Sequence, residues 1–358
     1  MPCLKKSMGN SQFDRRSFLR LAMKAAGGTF LSGCKMPGLH DDYEVVLLGD
    51  LHFTRARGTR YWEMWQSRMP SLMAAAAHDV GMNARFVLQI GDVIDGDASD
   101  RAAHTRMMSD AWALLKRTFP DCPISLVVGN HDIRGKEGSA AYREFFLPRL
   151  SRELKRDFPS TTYAYSIGDD AFLHFDFNDP DSSLSVLARL LNETKSARHL
   201  FFVSHAPVIP NYYGGPSYRG MTLGDVAHTE ARRWLLERLA ARHAIVLTGH
   251  IHKTDFLEWR SAAGKIVQIT VSSVWDDPSF GRPKTRYQGS DEYARPWMTG
   301  TDLEAKAFFS EYAPGICRYQ NILAAGRSIL RVSEHAVSVE VFCGNEGMSG
   351  VSFKCDTI

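Results

Sequence analysis

The chain has 358 residues, 44% of them hydrophobic and 23% charged, an ordinary globular composition with length for one large α/β domain or two small ones. Its formal charge of +3 belongs to the N-terminus: residues 1–33 hold Lys5, Lys6, Arg15, Arg16, Arg20 and Lys24 against the single acid Asp14, so taking them away leaves −2. The nearly neutral remainder argues against electrostatic capture of nucleic acid, and no such partner is expected. No apolar run approaches the roughly 20 residues of a spanning helix, and there is no internal repeat or low-complexity tract.

Residues 14–20 read Asp-Arg-Arg-Ser-Phe-Leu-Arg and are followed by a weakly apolar stretch, Leu21 to Phe30, and then by Leu31-Ser32-Gly33-Cys34. A basic segment, a weak apolar segment and small residues before a cleavage point describe a signal peptide rather than a membrane span. The paired arginines resemble the twin-arginine export signal, with Asp14 standing where that pattern usually has Ser or Thr. Leu-Ser-Gly-Cys resembles a bacterial lipobox. The expected organisation is a signal peptide over 1–33, a lipid anchored on Cys34, a linker over 34–43 and a domain over 44–358. The expected location is the bacterial cell envelope, lipid-anchored or periplasmic.

Glu44 to Gly49 reads as a strand that delivers Asp50-Leu51-His52. Residues two apart in an extended chain point the same way, so Asp50 and His52 can address one metal. A crossover helix is expected over 60–80. A second strand, Phe86 to Ile90, ends in Gly91-Asp92-Val93-Ile94-Asp95, where Asp92 offers a carboxylate able to bridge two cations. Asp95 reads as an acceptor behind a ligand His. A helix over 101–118 precedes the apolar strand Ile124 to Val128, which ends in Gly129-Asn130-His131-Asp132. Three strand–helix units thus put polar residues at one sheet edge, where ligands sit in open α/β sheets.

A helix at about 139–149 is followed by a hairpin, Tyr163 to Ile167 and Ala171 to Phe177, in which His174 reads as a packed strand residue. After a helix over 184–195, the strand Leu200 to Val203 ends in Ser204-His205-Ala206-Pro207. After another over 226–242, the strand Ala244 to Thr248 ends in Gly249-His250-Ile251-His252. Two histidines two apart lie roughly 6–7 Å apart in extended chain, which suits one ligand for each of two metals about 3.5–4 Å apart. Strand pairs are expected at 254–260 and 265–272, and at 328–333 and 336–343, with a long irregular segment over 275–312. Cys343 and Cys355 flank a Gly-rich turn and either bridge it or remain buried thiols.

Asp-x-His, Gly-Asp-x-x-Asp, Gly-Asn-His-Asp, a solitary His after a strand and Gly-His-x-His, in this order and each at a strand end, resemble the calcineurin-like metallophosphoesterases. The resemblance spans residues 44 to about 343. It implies a four-layer α/β/β/α sandwich of two mixed sheets with a two-metal site at their rim. Asp50, His52 and His252 then look like ligands of one metal and Asn130, His205 and His250 like ligands of the other, with Asp92 bridging. A carboxylate, amide and imidazole set without thiolate suits Mn, Fe or Zn. Two such ions clamp a phosphate and turn a bridging water into a hydroxide nucleophile. His131 is left to meet the transition-state charge or protonate the leaving oxygen, with Asp132 holding its ring. The purple acid phosphatases differ: they carry Tyr where this chain has Asp95 and lack the His present here as His52, so no tyrosinate-coloured centre is expected.

The reading is an exported, metal-dependent hydrolase of a phosphoester, mono- or diester. A pyrophosphatase-type hydrolase of nucleotide or lipid-linked diphosphates is the alternative enzyme, and a non-catalytic metal-binding scaffold the alternative of another class. The segments Tyr212–Arg219 and Trp275–Trp297, aromatic and basic, are expected to wall the site.

Overall fold

The computed structural model describes residues 42–67, 69–82, 84–211, 221–273, 284–295, 303–323, 326–343 and 351–356. The export and lipid motifs therefore lie outside the described residues. So does the segment 212–219, and so does 275–297 apart from 284–295.

Among the described residues, fourteen strands form two mixed sheets. The first runs β14 (Val351–Asp356), β13 (Ala336–Cys343), β12 (Gly326–Val332), β1 (Tyr43–Leu48), β2 (Ala84–Gln89), β3 (Ile124–Leu126). Its β1, β2 and β3 are parallel, and β12 to β14 continue it antiparallel. The second runs β10 (Lys284–Gln288), β11 (Ile316–Leu323), β8 (Thr254–Ser261), β9 (Gly264–Thr270), β7 (Ile245–Thr248), β6 (Leu200–Ser204), β5 (Asp170–Phe175), β4 (Tyr163–Ile167). Here β5, β6, β7 and β9 are parallel and the flanking strands antiparallel.

The apolar runs of β1 and β2 are buried on both faces, as parallel strands covered by helices require. Those helices are α1 (Arg60–Ser67), α2 (Met69–Met82), α3 (Arg101–Thr118) and α4 (Gly138–Glu153). The helix expected over 60–80 is described over Arg60–Ser67 and Met69–Met82. Asp100 caps α3 by accepting from Ala103 N at 2.8 Å, and Lys116 and Arg117 sit in its last turn, opposite the sign of the helix dipole there. The second sheet is covered by α5 (Pro180–Glu193), α6 (Thr229–Ala241) and α7 (Leu303–Tyr312).

Alternation in β5 shows how the layers meet. Ala171, Leu173 and Phe175 join the helix-side core, while Phe172 joins the core between the sheets. Phe172 stacks on Phe201 at 4.5 Å and meets Phe86 of the first sheet edge-on at 5.1 Å. His174 is the packed residue expected: it stacks on Tyr163 at 4.5 Å, and its Nε2 lies 3.2 Å from Ser125 Oγ of β3. Burial pushes its pKa down to about 3, so it is neutral. The fold is the four-layer α/β/β/α sandwich expected.

Four elements differ from the expected pattern: β10 and α7 lie within the segment read as irregular, and β11 and β14 add a strand to each sheet. The register excludes the disulfide. Cys355 pairs with Val337 whereas Cys343 pairs with Gly326, so the two cysteines stand six residues apart along β13. That is about 20 Å, against the roughly 6 Å between Cα atoms that a bridge allows. No helix among the described residues is long and apolar enough to cross a membrane.

Phe172→Ala should cost about 3–5 kcal/mol in denaturant unfolding, since it empties the seam between the sheets. A loss below about 1 kcal/mol would mean the sheets do not meet through this ring.

Candidate metal centre

Five strands, β1, β2, β3, β6 and β7, end at one rim, and the loops after them carry Asp50 and His52, Asp92, Asn130 and His131, His205, and His250 and His252. The loops are tied to one another in a ring. Leu51 N and His52 N donate to Asp92 O at 2.9 and 2.8 Å, and His131 N donates to Asp92 Oδ1 at 2.8 Å. His205 Nδ1 donates to Ile90 O at 2.7 Å, and Gly249 N to His205 O at 2.8 Å. His250 N closes the ring on the Asp50 carboxylate at 3.1 and 3.2 Å.

Two glycines make this approach possible. A Cβ on Gly129 would lie 2.2 Å from Asp92 N and Oδ1, and one on Gly91 would lie 2.4 Å from His205 Nδ1. Four site residues hold left-handed backbone: His52 (φ 44), Asp92 (φ 52), His250 (φ 70) and His252 (φ 52). Each costs on the order of 1–3 kcal/mol and persists only where surrounding structure imposes it. The bonded loops supply that constraint.

Among the described residues, potential donor atoms converge in three overlapping groups, Asp50–His52–His252, His52–Asp92–His131 and Asp92–His205–His250, each within 4.8 Å. His205 Nε2 stands 3.2 Å from Asp92 Oδ2 and 3.8 Å from Asp50 Oδ1, and His252 Nε2 stands 3.2 Å from Asp50 Oδ1. The Nε2 atoms of His52 and His252 are 2.9 Å apart. Asn130 is flanked by Gly129 and His131, both against Asp92, and its Oδ1 is buried without a hydrogen-bond partner.

The electrostatics suit a cation. Burial disfavours the charge on Asp92, yet the His205 imidazole beside it holds this carboxyl far below its usual range; Asp50 is depressed in the same way, against its burial, by His252. Burial pushes His52 down to about 3 and His250 to about 4, leaving both neutral as ligands must be. Burial would lower His205 too, but Asp92 and Asp50 overcome it and raise this ring to about 10. Two buried carboxylates thus demand a positive charge between them. The donors are carboxylate, imidazole and amide without thiolate, and Asn130 Oδ1 has no other partner, so the residues fit hard or borderline divalent metals.

The sequence reading gave Asp132 the task of orienting His131; the structure gives it to Asp95. The His131 Nδ1 lies 2.7 Å from Asp95 O and 3.6 Å from its carboxylate. Asp132 is fully buried and accepts from Gly129 N at 2.8 Å and Ile94 N at 3.2 Å. It braces the loop after β3 against the loop after β2, because its carboxylate completes backbone donors that have no strand partner.

Further residues come into view only in three dimensions. Gln89 is buried and joins the first two loops, donating to Gly91 O at 2.8 Å and Gly49 O at 3.3 Å. A glutamine closing a strand of apolar residues is a readable signal. Trp65 Nε1 donates to His52 O at 3.1 Å, and Tyr61 stacks on the His52 ring at 4.4 Å. Phe177 faces His205 and His250 at 5.8 and 6.0 Å.

The family model for calcineurin-like phosphoesterases matches residues 43–254. The chain belongs to this family and is a phosphoesterase with its His/Asp cluster in place. The strands that follow residue 254 complete both sheets. Among solved structures it is similar to a dimetal phosphatase from Danio rerio (TM-score 0.53, 14% identity, covering 88% of this chain and 99% of that one). It is also similar to PhoD (0.54, 11%, 91% and 71%) and to a purple acid phosphatase from yellow lupin, Lupinus luteus (0.56, 12%, 88% and 54%). At such identities these likenesses establish the fold. No curated protein matches the chain.

Gly129→Ala should lower both bound metal and turnover, the latter by about 10²-fold, because the new methyl displaces Asp92 by about an ångström. Circular dichroism should report an intact fold, and wild-type turnover in this variant would show that the two loops are free to part.

Proposed function

We propose that this phosphoesterase hydrolyses a phosphate mono- or diester with two metal ions. Asp50, His52 and His252 hold one, Asn130, His205 and His250 hold the other, and Asp92 is shared. The observation that carries the reading is the sharing of Asp92 and His52 among overlapping donor groups, with Asn130 Oδ1 left over. His131 belongs to one of those groups, but Nδ1 faces Asp95 O at 2.7 Å and Nε2 faces Arg134 Nη2 at 3.2 Å, so both nitrogens are engaged outside it. It is therefore given a catalytic place at the rim, not a ligand's.

When bound, such ions polarise phosphoryl oxygens and make water acidic enough to act as a nucleophile near neutral pH. The chain's own contribution is placement. The Asp95 carbonyl fixes the His131 ring, so that Nε2, protonated and released from Arg134 Nη2, can meet the leaving oxygen or the charge that develops there. Tyr61 covers the outer face of His52, and Phe177 closes the side of His205 and His250. The substrate is a phosphoester of the envelope or its surroundings, since residues 14–34 support twin-arginine export and lipid attachment at Cys34.

Turnover of p-nitrophenyl phosphate and bis-p-nitrophenyl phosphate with added Mn, and its loss on chelation, tests the reading. Asp92→Asn should reduce bound metal and turnover together, turnover by on the order of 10²-fold or more. Two full equivalents of metal retained in that variant would refute the shared carboxylate. Cys34→Ala should give a protein without acyl mass, read by mass measurement of the mature N-terminus. A wild-type protein that begins elsewhere and carries no lipid would remove the anchor.

A further inference from the structure

Arg134 lies in none of the sequence motifs, yet its guanidinium reaches the centre. Its backbone N donates to His131 O at 3.2 Å, so a tight turn returns the side chain to the His131 ring. That turn is seated against the neighbouring loop: a Cβ on Gly96 would lie 2.0 Å from His131 O and 3.1 Å from Arg134 Cβ. Nη2 stands 3.2 Å from His131 Nε2, and Nη1 donates to Asp97 Oδ1 at 2.8 Å.

The partners of Arg134 are weak ones for a guanidinium. Its side chain is 43% and that of Asp97 64% exposed, and an exposed pair of this kind contributes about 0–1 kcal/mol. One edge of the fork is thus anchored while the other points at the atom of His131 that faces the leaving oxygen. Arg is the side chain whose planar fork matches phosphate oxygens. An uncharged leaving group has nothing to offer this cation.

We propose that Arg134 is a specificity-determining residue that binds a phosphate carried by the leaving group, so that the substrate class is a diphosphate. This rests on the placement of His131 beside the leaving oxygen. In the reaction water adds its oxygen to the attacked phosphorus and the bridging P–O bond breaks. The second phosphate departs with the bridging oxygen and its electron pair, and the proton lost by water passes to solvent or to the departing phosphate. Arg134 holds that departing phosphate.

The test compares wild type, Arg134→Lys and Arg134→Gln, all loaded with Mn kept in excess. Methylphosphonate and methylenediphosphonate serve as inhibitors of p-nitrophenyl phosphate turnover, with their binding also measured by calorimetry. Wild type should bind the diphosphonate at least about tenfold tighter than the monophosphonate, and Arg134→Gln should erase most of that ratio, with Arg134→Lys between them. In turnover, kcat/KM for adenosine diphosphate should fall further than that for p-nitrophenyl phosphate, chiefly through KM. An unchanged inhibitor ratio, whether or not kcat for p-nitrophenyl phosphate falls, would reduce Arg134 to a support for His131 and overturn the proposal. A wild type without preference for the diphosphonate would do the same. Wild type that turns over no phosphate ester would instead sink the phosphoesterase mechanism, and the calorimetric ratio would still decide Arg134.

Discussion

Asp50 and Asp92 are carboxylates at 0% and 1% exposure, placed where the neighbouring parallel strands β1 and β2 of the first sheet run out. Burying two like charges side by side is costly unless positive charge or hydrogen-bond donors meet them. The rim is arranged to provide both. Backbone donors from His131 and His250 take one set of lone pairs, and imidazoles fill the rest of the shell. Because the donors come from loops of both sheets, the centre exists only when the sandwich is assembled. The inter-sheet contacts far from the rim, such as Phe172 on Phe86 and Tyr43 on Asp170, therefore set the distance between the two halves of the donor set.

The same demand explains the backbone. His52, Asp92, His250 and His252 sit in a left-handed conformation that side-chain-bearing residues avoid, so the chain leaves regular strand geometry at the end of each of these strands. A left-handed residue at the strand end turns the chain so that successive side chains converge. Local propensity is overruled here by the loop-to-loop hydrogen bonds, and the strain is concentrated where the chemistry is.

Much of this was legible in the sequence because the signal is local. A short apolar strand followed by Gly and a polar residue marks each rim loop, and Asp50, His52, Asp92, His205, His250 and His252 are brought together as that pattern implies, with Asn130 held against Asp92 between two residues that touch it. The helix expected over 101–118 is Arg101–Thr118, and in the structure Asp100 caps it. What escaped depends on distant partners. β11 carries Arg318, Gln320 and Asn321, which spoil alternation, and the Nδ2 of its buried Asn321 donates to Asp255 Oδ1 on the adjoining β8 at 2.8 Å. β14 does alternate, with Phe353 and Cys355 buried and Ser352 and Lys354 exposed, but only its register on β13 shows that Cys355 is far from Cys343. Tyr61, Trp65 and Arg134 have no motif, since their relation to the centre is one of packing and turn geometry.

The exchange of roles between Asp95 and Asp132 follows from the same geometry. Asp132 immediately follows His131, and sequence adjacency suggests a partnership. In the turn after β3, however, the Asp132 carboxylate folds back to Gly129 N, three residues upstream, and is lost to the rim. Burial, then the charge of Asp92, raises its pKa to about 7 against the lowering effect of the Gly129 and Ile94 backbone donors. Asp95 comes from the loop after the neighbouring strand β2 and brings a carbonyl oxygen, an obligate acceptor, to His131 Nδ1. In this chain Asp95 holds the ring of His131, and the likeness to the lupin enzyme, at 12% identity, is one of fold.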